Sequence, residues 1–186
     1  MTPLIRKEKI ISSDKFFQRI HQVEVEYVNY WKEHTLWHWE FWVSVALSII
    51  PWLVWIILRK RGSEARLLLA GIFGLSVASW LDFLGLVFGL WHYSGRVLPT
   101  IPTFLPWDFT LIPVTLMLWL QFKPALNPFL KAVIYSALTS FIGEPLFEWI
   151  GFYTTVKWNV FYSFPIYIII YLIAYRISKA KSFEPL

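Results

Sequence analysis

Cysteine is absent from this chain of 186 residues, and Asp, Glu, Lys and Arg together make up only 16% of it. The absence of cysteine excludes disulfides, thiolate catalysis and zinc or iron–sulfur sites with cysteine ligands. A soluble domain of this length carries about a quarter charged residues, so the scarcity of charge argues against one. The sequence also shows no glycine-rich phosphate loop, aspartate-rich diphosphate motif or serine–histidine–acid pattern, so none of these chemistries is indicated.

Apolar residues dominate instead: the chain is 57% hydrophobic and 20% aromatic, with a mean hydropathy of +0.53. A helix needs about 20 apolar residues to cross a hydrocarbon core of about 30 Å. Five segments meet or approach this length, at about 37–58, 67–91, 105–122, 129–153 and 158–178. The predicted fold class is all-α, a polytopic membrane bundle of about five transmembrane helices. Four of these spans contain proline, which either kinks the helix and opens space for a cavity or is simply tolerated in a membrane.

The basic residues predict an orientation. Nine of them flank one side of the predicted spans and only Arg96 and Lys157 flank the other, the nine being Arg59, Lys60, Arg61, Arg66, Lys123, Lys131, Arg176, Lys179 and Lys181. The positive-inside rule places the nine in the cytoplasm, together with a tail at 181–186, although residues 1–35 carry six further Lys or Arg. The net charge of +5 fits a membrane surface better than nucleic acid, so no nucleic-acid partner is expected.

The N-terminal segment, 1–35, is predicted to be an amphipathic helix rather than a span. Apolar residues recur there at three- and four-residue steps, at Phe16, Ile20, Val23, Tyr27 and Tyr30. Such a helix lies on the bilayer surface or caps the bundle, and a solvated helix that contacts a partner is the alternative. The first 30 residues lack the apolar core of a signal peptide, so the first span of the transmembrane domain, 36–180, is expected to act as its own insertion signal.

Carboxylates interrupt the predicted spans at five positions: Glu40, Asp82, Asp108, Glu144 and Glu148. An acid in the hydrocarbon core costs roughly 2.5–3.5 kcal/mol or more, so such residues usually face a protein interior. Counted from the cytoplasmic charges at about 1.5 Å per residue, all five lie roughly 20–28 Å from that boundary and share one layer. Crowded carboxylates in a low dielectric favour retention of a proton, which a buried general acid requires.

The acids differ in how strongly they point to a site. Asp82 and Asp108 are the hardest to explain without a function or an essential structural bond, whereas Glu40 and Glu148 lie near helix ends and could reach interfacial water. Glu144 and Glu148 are four residues apart and are expected on one helix face. The predicted catalytic set is Asp82, Asp108, Glu144 and Glu148.

Aromatic and polar residues near the same layer are predicted to bind substrate: Trp91, His92, Tyr93, Trp107, Trp149, Trp158, Asn159 and Glu40. An aromatic belt at the interface explains many of the tryptophans, and an aromatic-lined pocket that holds a cation is the second interpretation. Gly85 and Gly89 share a stripe with Asp82 and are expected to allow close helix approach. His34 and His38 are four apart but lack a third ligand at fixed spacing, so no metal and no cofactor are expected.

A short internal echo relates two parts of the chain. Asp82-Phe-Leu-Gly85 is followed by Trp91, and Glu148-Trp-Ile-Gly151 is followed by Trp158. The first half, with Gly89-Leu-Trp91-His-Tyr93 and Leu105-Pro-Trp-Asp108, resembles the small integral-membrane lycopene cyclases over about 40 residues. That resemblance implies a membrane-embedded terpene or carotenoid-type cyclase with an acid as proton donor. In that family an acid pair opens the next helix, whereas Phe109 follows Asp108 here.

Over its whole length the chain resembles a small uncharacterised family of integral membrane proteins from spore-forming Firmicutes, through His38-Trp-Glu40-Phe-Trp42 and Ile50-Pro-Trp52. This second resemblance implies five spans and a multi-pass location in a bacterial plasma membrane.

Three functions follow as hypotheses. The leading one is an enzyme that modifies an isoprenoid or another membrane lipid by protonating it, without metal, with Asp108 or Asp82 as donor. The second is a small proton- or cation-linked transporter, which with five spans is expected to form a homo-oligomer. The third is a structural or regulatory partner of another membrane protein, whose basic residues the acids would pair with.

Overall fold

The computed structural model describes residues 4–99 and 103–180, so the predicted tail at 181–186 with Lys181 lies outside the described residues. Its regular structure is almost entirely helical, which confirms the all-α class. We name the elements in chain order: α1 (Lys7–His34), α2 (Trp39–Leu58), α3 (Glu64–Val87), β1 (Trp91–Tyr93), π1 (Leu105–Leu111), α4 (Ile112–Gln121), α5 (Pro128–Leu138), π2 (Thr139–Gly143), α6 (Glu144–Ile150), β2 (Tyr153–Thr155) and α7 (Val160–Ser178).

Three of these helices are long and apolar enough to cross a membrane: α2, α3 and α7. The third and fourth predicted spans are helical too, but each contains a wider π-helical stretch. Pro113 and Pro145 lie in the first turn of α4 and α6, directly after π1 and π2. A proline ring clashes with the preceding turn and lacks an N–H donor, and a π turn leaves room for that defect.

The helices pack around a buried centre in which α3 contacts α4 and α7, and α5 contacts α7. Close approach of α3 to α4 depends on Gly71 and Gly74, because a Cβ at these positions would come within 2.8 Å of the Met117 sulfur and 2.6 Å of a Leu116 methyl group. The fully buried side chains of this region include Ala70, Leu116, Met117, Ala132, Tyr171 and Ala174.

Two short strands, which the sequence did not predict, join the ends of distant helices. Strand β1 pairs antiparallel with β2, so that Trp91 lies opposite Thr155, His92 opposite Thr154, and Tyr93 opposite Tyr153. The predicted spans 67–91 and 129–153 are therefore wrong at their ends, since α3 stops at Val87 and α6 at Ile150. Gly89 and Gly151, at φ of +63° and +90°, take left-handed conformations that end a helix.

The predicted glycine stripe of α3 also needs correction. Gly85 faces the Trp91 indole rather than another helix, because a Cβ there would overlap that ring. Gly89 lies in the turn beyond the helix, where a Cβ would meet open space. The positions that let helices approach closely are Gly71 and Gly74.

Helix α1 is exposed over most of its length, and its apolar side chains Phe16, Ile20 and Val23 are more than half exposed. Contact with the rest of the chain is made at its last turn, where Trp31 is buried and its Nε1–H donates to the Arg96 carbonyl oxygen at 2.7 Å. The apolar face is thus available to a bilayer surface or to a partner, as the sequence predicts, and the choice between them stays a prediction.

Candidate functional site

Asp82 and Asp108 meet in the interior, with exposed fractions of only 4% and 2%. Asp82 comes from the last turns of α3 and Asp108 from π1, and their carboxyl groups hydrogen-bond to each other. The backbone N–H of Phe104 lies between them, 3.1 Å from an Oδ2 of each. The proline-flanked turn before π1 therefore carries the amide that holds the two acids together.

Strand β1 supplies two more donors to Asp82. The Nε1–H of Trp91 and the hydroxyl of Tyr93 both donate to its Oδ1, each at 2.7 Å. Side chains alternate along a strand, so Trp91 and Tyr93 face inward together while His92 faces out. Burial, and next the negative charge of Asp82, raise the pKa of the Tyr93 hydroxyl well above its usual range, which keeps it a donor.

The acid pair shares a proton. An ionised carboxylate only accepts hydrogen bonds, so a bond between two carboxyl groups requires a proton on one of them. Asp82 accepts from Trp91, Tyr93 and the Phe104 amide. Asp108 accepts from the same amide and is attracted electrostatically by Arg96. The pair therefore holds one proton between two buried carboxyl groups.

Glu144, the third buried acid, sits at the start of α6 with an exposed fraction of 8%. Two side chains of α7 hold it: the Ser163 hydroxyl, 3.0 Å from its Oε2, and the Tyr167 hydroxyl. Each of these is held in turn by an indole, because Trp158 Nε1–H donates to Ser163 at 2.9 Å and Trp107 Nε1–H donates to Tyr167 at 3.1 Å. A continuous polar chain thus runs through the carboxyl group.

All three buried acids line one cavity of about 190 Å³. Its aromatic wall consists of Phe88, Trp91, Tyr93, Trp107, Phe147, Tyr153, Trp158 and Tyr167. The Trp91 and Trp158 rings meet edge to face, with centroids 5.0 Å apart, so the two halves of the sequence echo contact each other here. Aliphatic side chains such as Leu81, Ile166 and Ile170 complete the lining. Among the described residues that line it, the ionisable groups are acids and tyrosines only.

Four of the eight predicted substrate-binding residues lie in this lining: Trp91, Tyr93, Trp107 and Trp158. The predicted catalytic residues Asp82, Asp108 and Glu144 lie there as well. Their roles stay predictions, and the structure brings these seven side chains to one place.

The other predicted catalytic residue, Glu148, is directed elsewhere. It is exposed, and its Oε1 accepts from the Thr155 hydroxyl at 2.7 Å in a solvent-exposed hydrogen bond. Glu144 and Glu148 lie four residues apart in α6, but of the two only Glu144 lines the cavity. Ser163 holds the Glu144 carboxyl in the interior, whereas the Glu148 carboxyl is open to solvent.

The remaining predicted substrate-binding residues are also outside the cavity. Trp149 is 83% exposed and projects from α6, and His92 is exposed on the outer face of β1. Asn159 caps the N-terminus of α7, where its side chain accepts from the Phe161 N–H at 3.0 Å. Glu40 is half-buried in the first turn of α2, with its Cβ near Gly95. Helix ends and strand alternation, rather than depth, decide these positions.

Several residues of the site were missed at the sequence level: Phe104, Phe147, Tyr153, Ser163 and Tyr167. Ser163 and Tyr167 offered a signal, because two hydroxyls four residues apart in an apolar helix face the same side. Phe104 acts through its backbone N–H, which no residue type reveals. As for metals, the part of the chain that the structure describes contains no group of three or more His, Cys, Asp or Glu arranged to hold an ion.

Comparison of the chain with protein-family models, with curated proteins and with solved structures gave no significant match. Arguments about function therefore rest on the cavity and its side chains.

Proposed function

We propose that the chain is a multi-pass protein of a bacterial plasma membrane with five spans, formed by α2, α3, π1–α4, α5–π2–α6 and α7. At about 1.5 Å per residue, residues 105–121 cover about 26 Å and residues 128–150 about 35 Å, against a hydrocarbon core of about 30 Å. The proline-associated π turns explain why these two segments are less regular than the other three. Every second connection then falls on the side that carries the basic residues.

We infer further that the cavity is the active site of a membrane enzyme that cyclises an isoprenoid after protonating it. One observation carries this proposal: a hydrogen-bonded acid pair, Asp82 and Asp108, faces an aromatic-lined apolar cavity. We assign the shared proton to Asp108, because Asp82 already accepts three donors, so the proposal keeps a buried acid in its protonated form. A proton donor beside apolar space is what protonation of an alkene requires.

The reaction conserves atoms and electrons. Asp108 gives its proton to one carbon of a terminal double bond, and the neighbouring carbon becomes a tertiary carbocation. A second double bond of the same chain supplies an electron pair to that carbon, which closes a ring and moves the positive charge. Loss of a proton from an adjacent carbon restores a double bond, and we assign the acceptor role to the carboxyl of Glu144, which lines the same cavity. The product is an isomer of the substrate.

The cavity suits the cation in both charge and size. Indole and phenol faces attract cations by about 0.5–2 kcal/mol each, so Trp91, Trp107 and Trp158 would stabilise the developing charge. A cavity of about 150 Å³ in another protein holds a benzene molecule. The 190 Å³ found here fits one ring-sized end group, so the rest of a long chain would lie outside it.

The test uses the full chain in liposomes with three linear probes: geranylgeraniol, squalene and lycopene. We expect at least one probe to give a cyclic isomer of equal mass, and in D₂O that isomer should carry one deuterium. Because general acids contribute roughly 10²–10⁴-fold, Asp108→Asn should lower the rate at least about 100-fold. Asp82→Asn should also lower it, since the carboxyl partner of Asp108 is lost.

Glu148→Gln is the matched control, because this acid lies on the same helix as Glu144 but outside the cavity, and it should retain the rate within about twofold. The proposal fails if no probe is isomerised by the folded protein. It also fails if both aspartate variants convert a probe at the rate of the unaltered chain.

A further inference from the structure

A second and larger cavity lies on the other side of Trp107 and Phe147, which line both spaces. Its volume is about 1130 Å³, against about 190 Å³ for the acid cavity. It is a groove along α4, closed on its flanks by side chains of α2 and of the α5–π2–α6 segment. Its wall is apolar along most of its length, through Leu47, Leu111, Leu118, Leu138 and Leu146.

One end of the groove is basic. Lys60 and Lys123 line it there, and both are exposed. Gln121 brings the two together, because its Oε1 accepts from the Lys60 backbone N–H and its Nε2 donates to the Leu58 carbonyl oxygen, each at 2.9 Å. Lys123 takes a left-handed backbone with φ of +38° directly after α4, which turns the chain at this mouth.

The positive charges of Lys60 and Lys123 at this mouth are in no ion pair within the described part of the chain. The ion pair in the described part of the chain joins Arg59 to Glu64, at 3.9 Å, and involves neither lysine. The Lys123 ammonium lies 5.5 Å from the centroid of the Phe122 ring, a contact that leaves its charge available. Among the described residues that line the groove there is no acid. The mouth is therefore complementary to an anion.

The wall of the groove favours a lipid chain over a transmembrane helix. Helices in membranes pack through small residues, and the small residues here are Thr115, Thr139 and Gly143. Both threonine hydroxyls bond their own helix backbone, at Leu111 and Tyr135, and the space beside Gly143 is taken by the Trp107 ring. The exposed wall consists of large, flexible or aromatic side chains, which suit an acyl chain.

The groove also has the length of a lipid tail. From Lys123 to Trp107 the helix rises about 24 Å at about 1.5 Å per residue, most of a hydrocarbon core of about 30 Å. We propose that the groove binds an anionic membrane phospholipid, with the phosphate between Lys60 and Lys123 and an acyl chain along α4 as far as Trp107. This site contains none of the acids of the cavity and does not require the proposed reaction, but it rests on the proposed membrane span π1–α4.

The experiment measures lipid binding by native mass spectrometry of the delipidated full chain. Phosphatidylglycerol and phosphatidylcholine with identical acyl chains are titrated separately, and the unaltered protein should prefer phosphatidylglycerol. Because a lysine near an anionic lipid contributes about 1 kcal/mol, Lys60→Gln and Lys123→Gln should each lower that preference about fivefold. Lys157→Gln, which alters an exposed lysine beyond β2, should leave the preference unchanged and serves as the control.

Two further arms separate the lipid from other occupants. Leu118→Trp fills the groove and should weaken binding of both lipids, whereas glycerol 3-phosphate, which has no acyl chain, should not compete. Equal affinity for the two lipids overturns the proposal, as does a preference that survives both lysine substitutions. It is also overturned if glycerol 3-phosphate displaces the lipid, or if Leu118→Trp splits a dimer without changing lipid binding, which would identify a second copy as the occupant.

Discussion

Gly85 determines whether Trp91 can reach Asp82. The indole ring lies across the position that a Cβ of residue 85 would occupy, and from there its Nε1–H donates to Oδ1 of Asp82 at 2.7 Å. The acid site therefore requires a glycine at position 85, because any side chain there would occupy the space of the Trp91 ring. Interiors are packed densely enough that one added methyl group is felt.

We expect Gly85→Ala to lower the free energy of unfolding by about 1–3 kcal/mol, the usual range for overpacking, and to break the bond from Trp91 to Asp82. The measurement is thermal unfolding of the detergent-purified protein. The smaller ring of Trp91→Phe, combined with Gly85→Ala, should cost less than the sum of the two single changes. Strict additivity in this double-mutant cycle would show that the two residues do not compete for the same space.

At the scale of single residues, the depth of each acid along the bundle could be predicted from the sequence, but the direction in which its side chain points could not. Counting from the basic residues placed Asp82, Asp108 and Glu144 in one layer, and all three line one cavity. The same count placed Glu148 with them, yet its carboxyl bonds Thr155 at the exposed surface. The direction of a side chain near a helix end depends on the partner packed there. When that partner is distant in sequence, counting residues along the helix does not reveal it.

At the scale of elements, the β1–β2 pair is the feature with the least sequence signal. Each strand has three residues, too few for the alternation that identifies a strand, and the predicted span 67–91 ends on the first residue of β1. The pairing joins residues about 60 positions apart, which no local pattern encodes. By contrast, the apolar helices were predictable because their long hydrophobic runs are local. The effect of proline was not, since Pro113 and Pro145 follow π turns whereas Pro51 and Pro165 lie inside continuous helices.

The register of the strands can be tested with cysteines, since the chain has none of its own. His92 and Thr154 are directly opposed and both are exposed, so His92→Cys combined with Thr154→Cys should form a disulfide under mild oxidation. Mass tagging of free thiols with a maleimide would show two tags before oxidation and none after it.

The control pairs His92→Cys with Thr155→Cys, whose side chain points to the opposite face of the strand. That pair should keep both tags after the same oxidation. Equal cross-linking of the two pairs would contradict the register, and failure of both would contradict the pairing itself.

At the scale of the whole molecule, the chain has a basic end and an acidic end. The lysine mouth of the groove lies at the first, and the three buried acids lie toward the second. A path along α4 connects them, with Trp107 and Phe147 between the two cavities.

Three spans and five spans predict different sides for the loop between α4 and α5. Single reporters at Ser63→Cys, Leu126→Cys and Thr154→Cys can be labelled in intact cells with a membrane-impermeant maleimide. With five spans, Leu126→Cys should behave like Ser63→Cys and be protected until the cells are permeabilised, whereas Thr154→Cys should label at once. Labelling of Leu126→Cys together with Thr154→Cys would mean that π1–α4 does not cross the membrane.

Strand β1 also connects the β1–β2 pairing to the hydrogen bonds of the Asp82 carboxyl. Both side-chain donors to Oδ1 of Asp82 belong to the same three residues, whose ladder partner in the described part of the chain is β2. Separation of the two strands withdraws two donors from one oxygen in a single event. The hydrogen bonds of the Asp82 carboxyl are therefore thermodynamically linked to strand pairing: whatever separates β1 from β2 removes both donors, and whatever removes the carboxyl weakens the pairing.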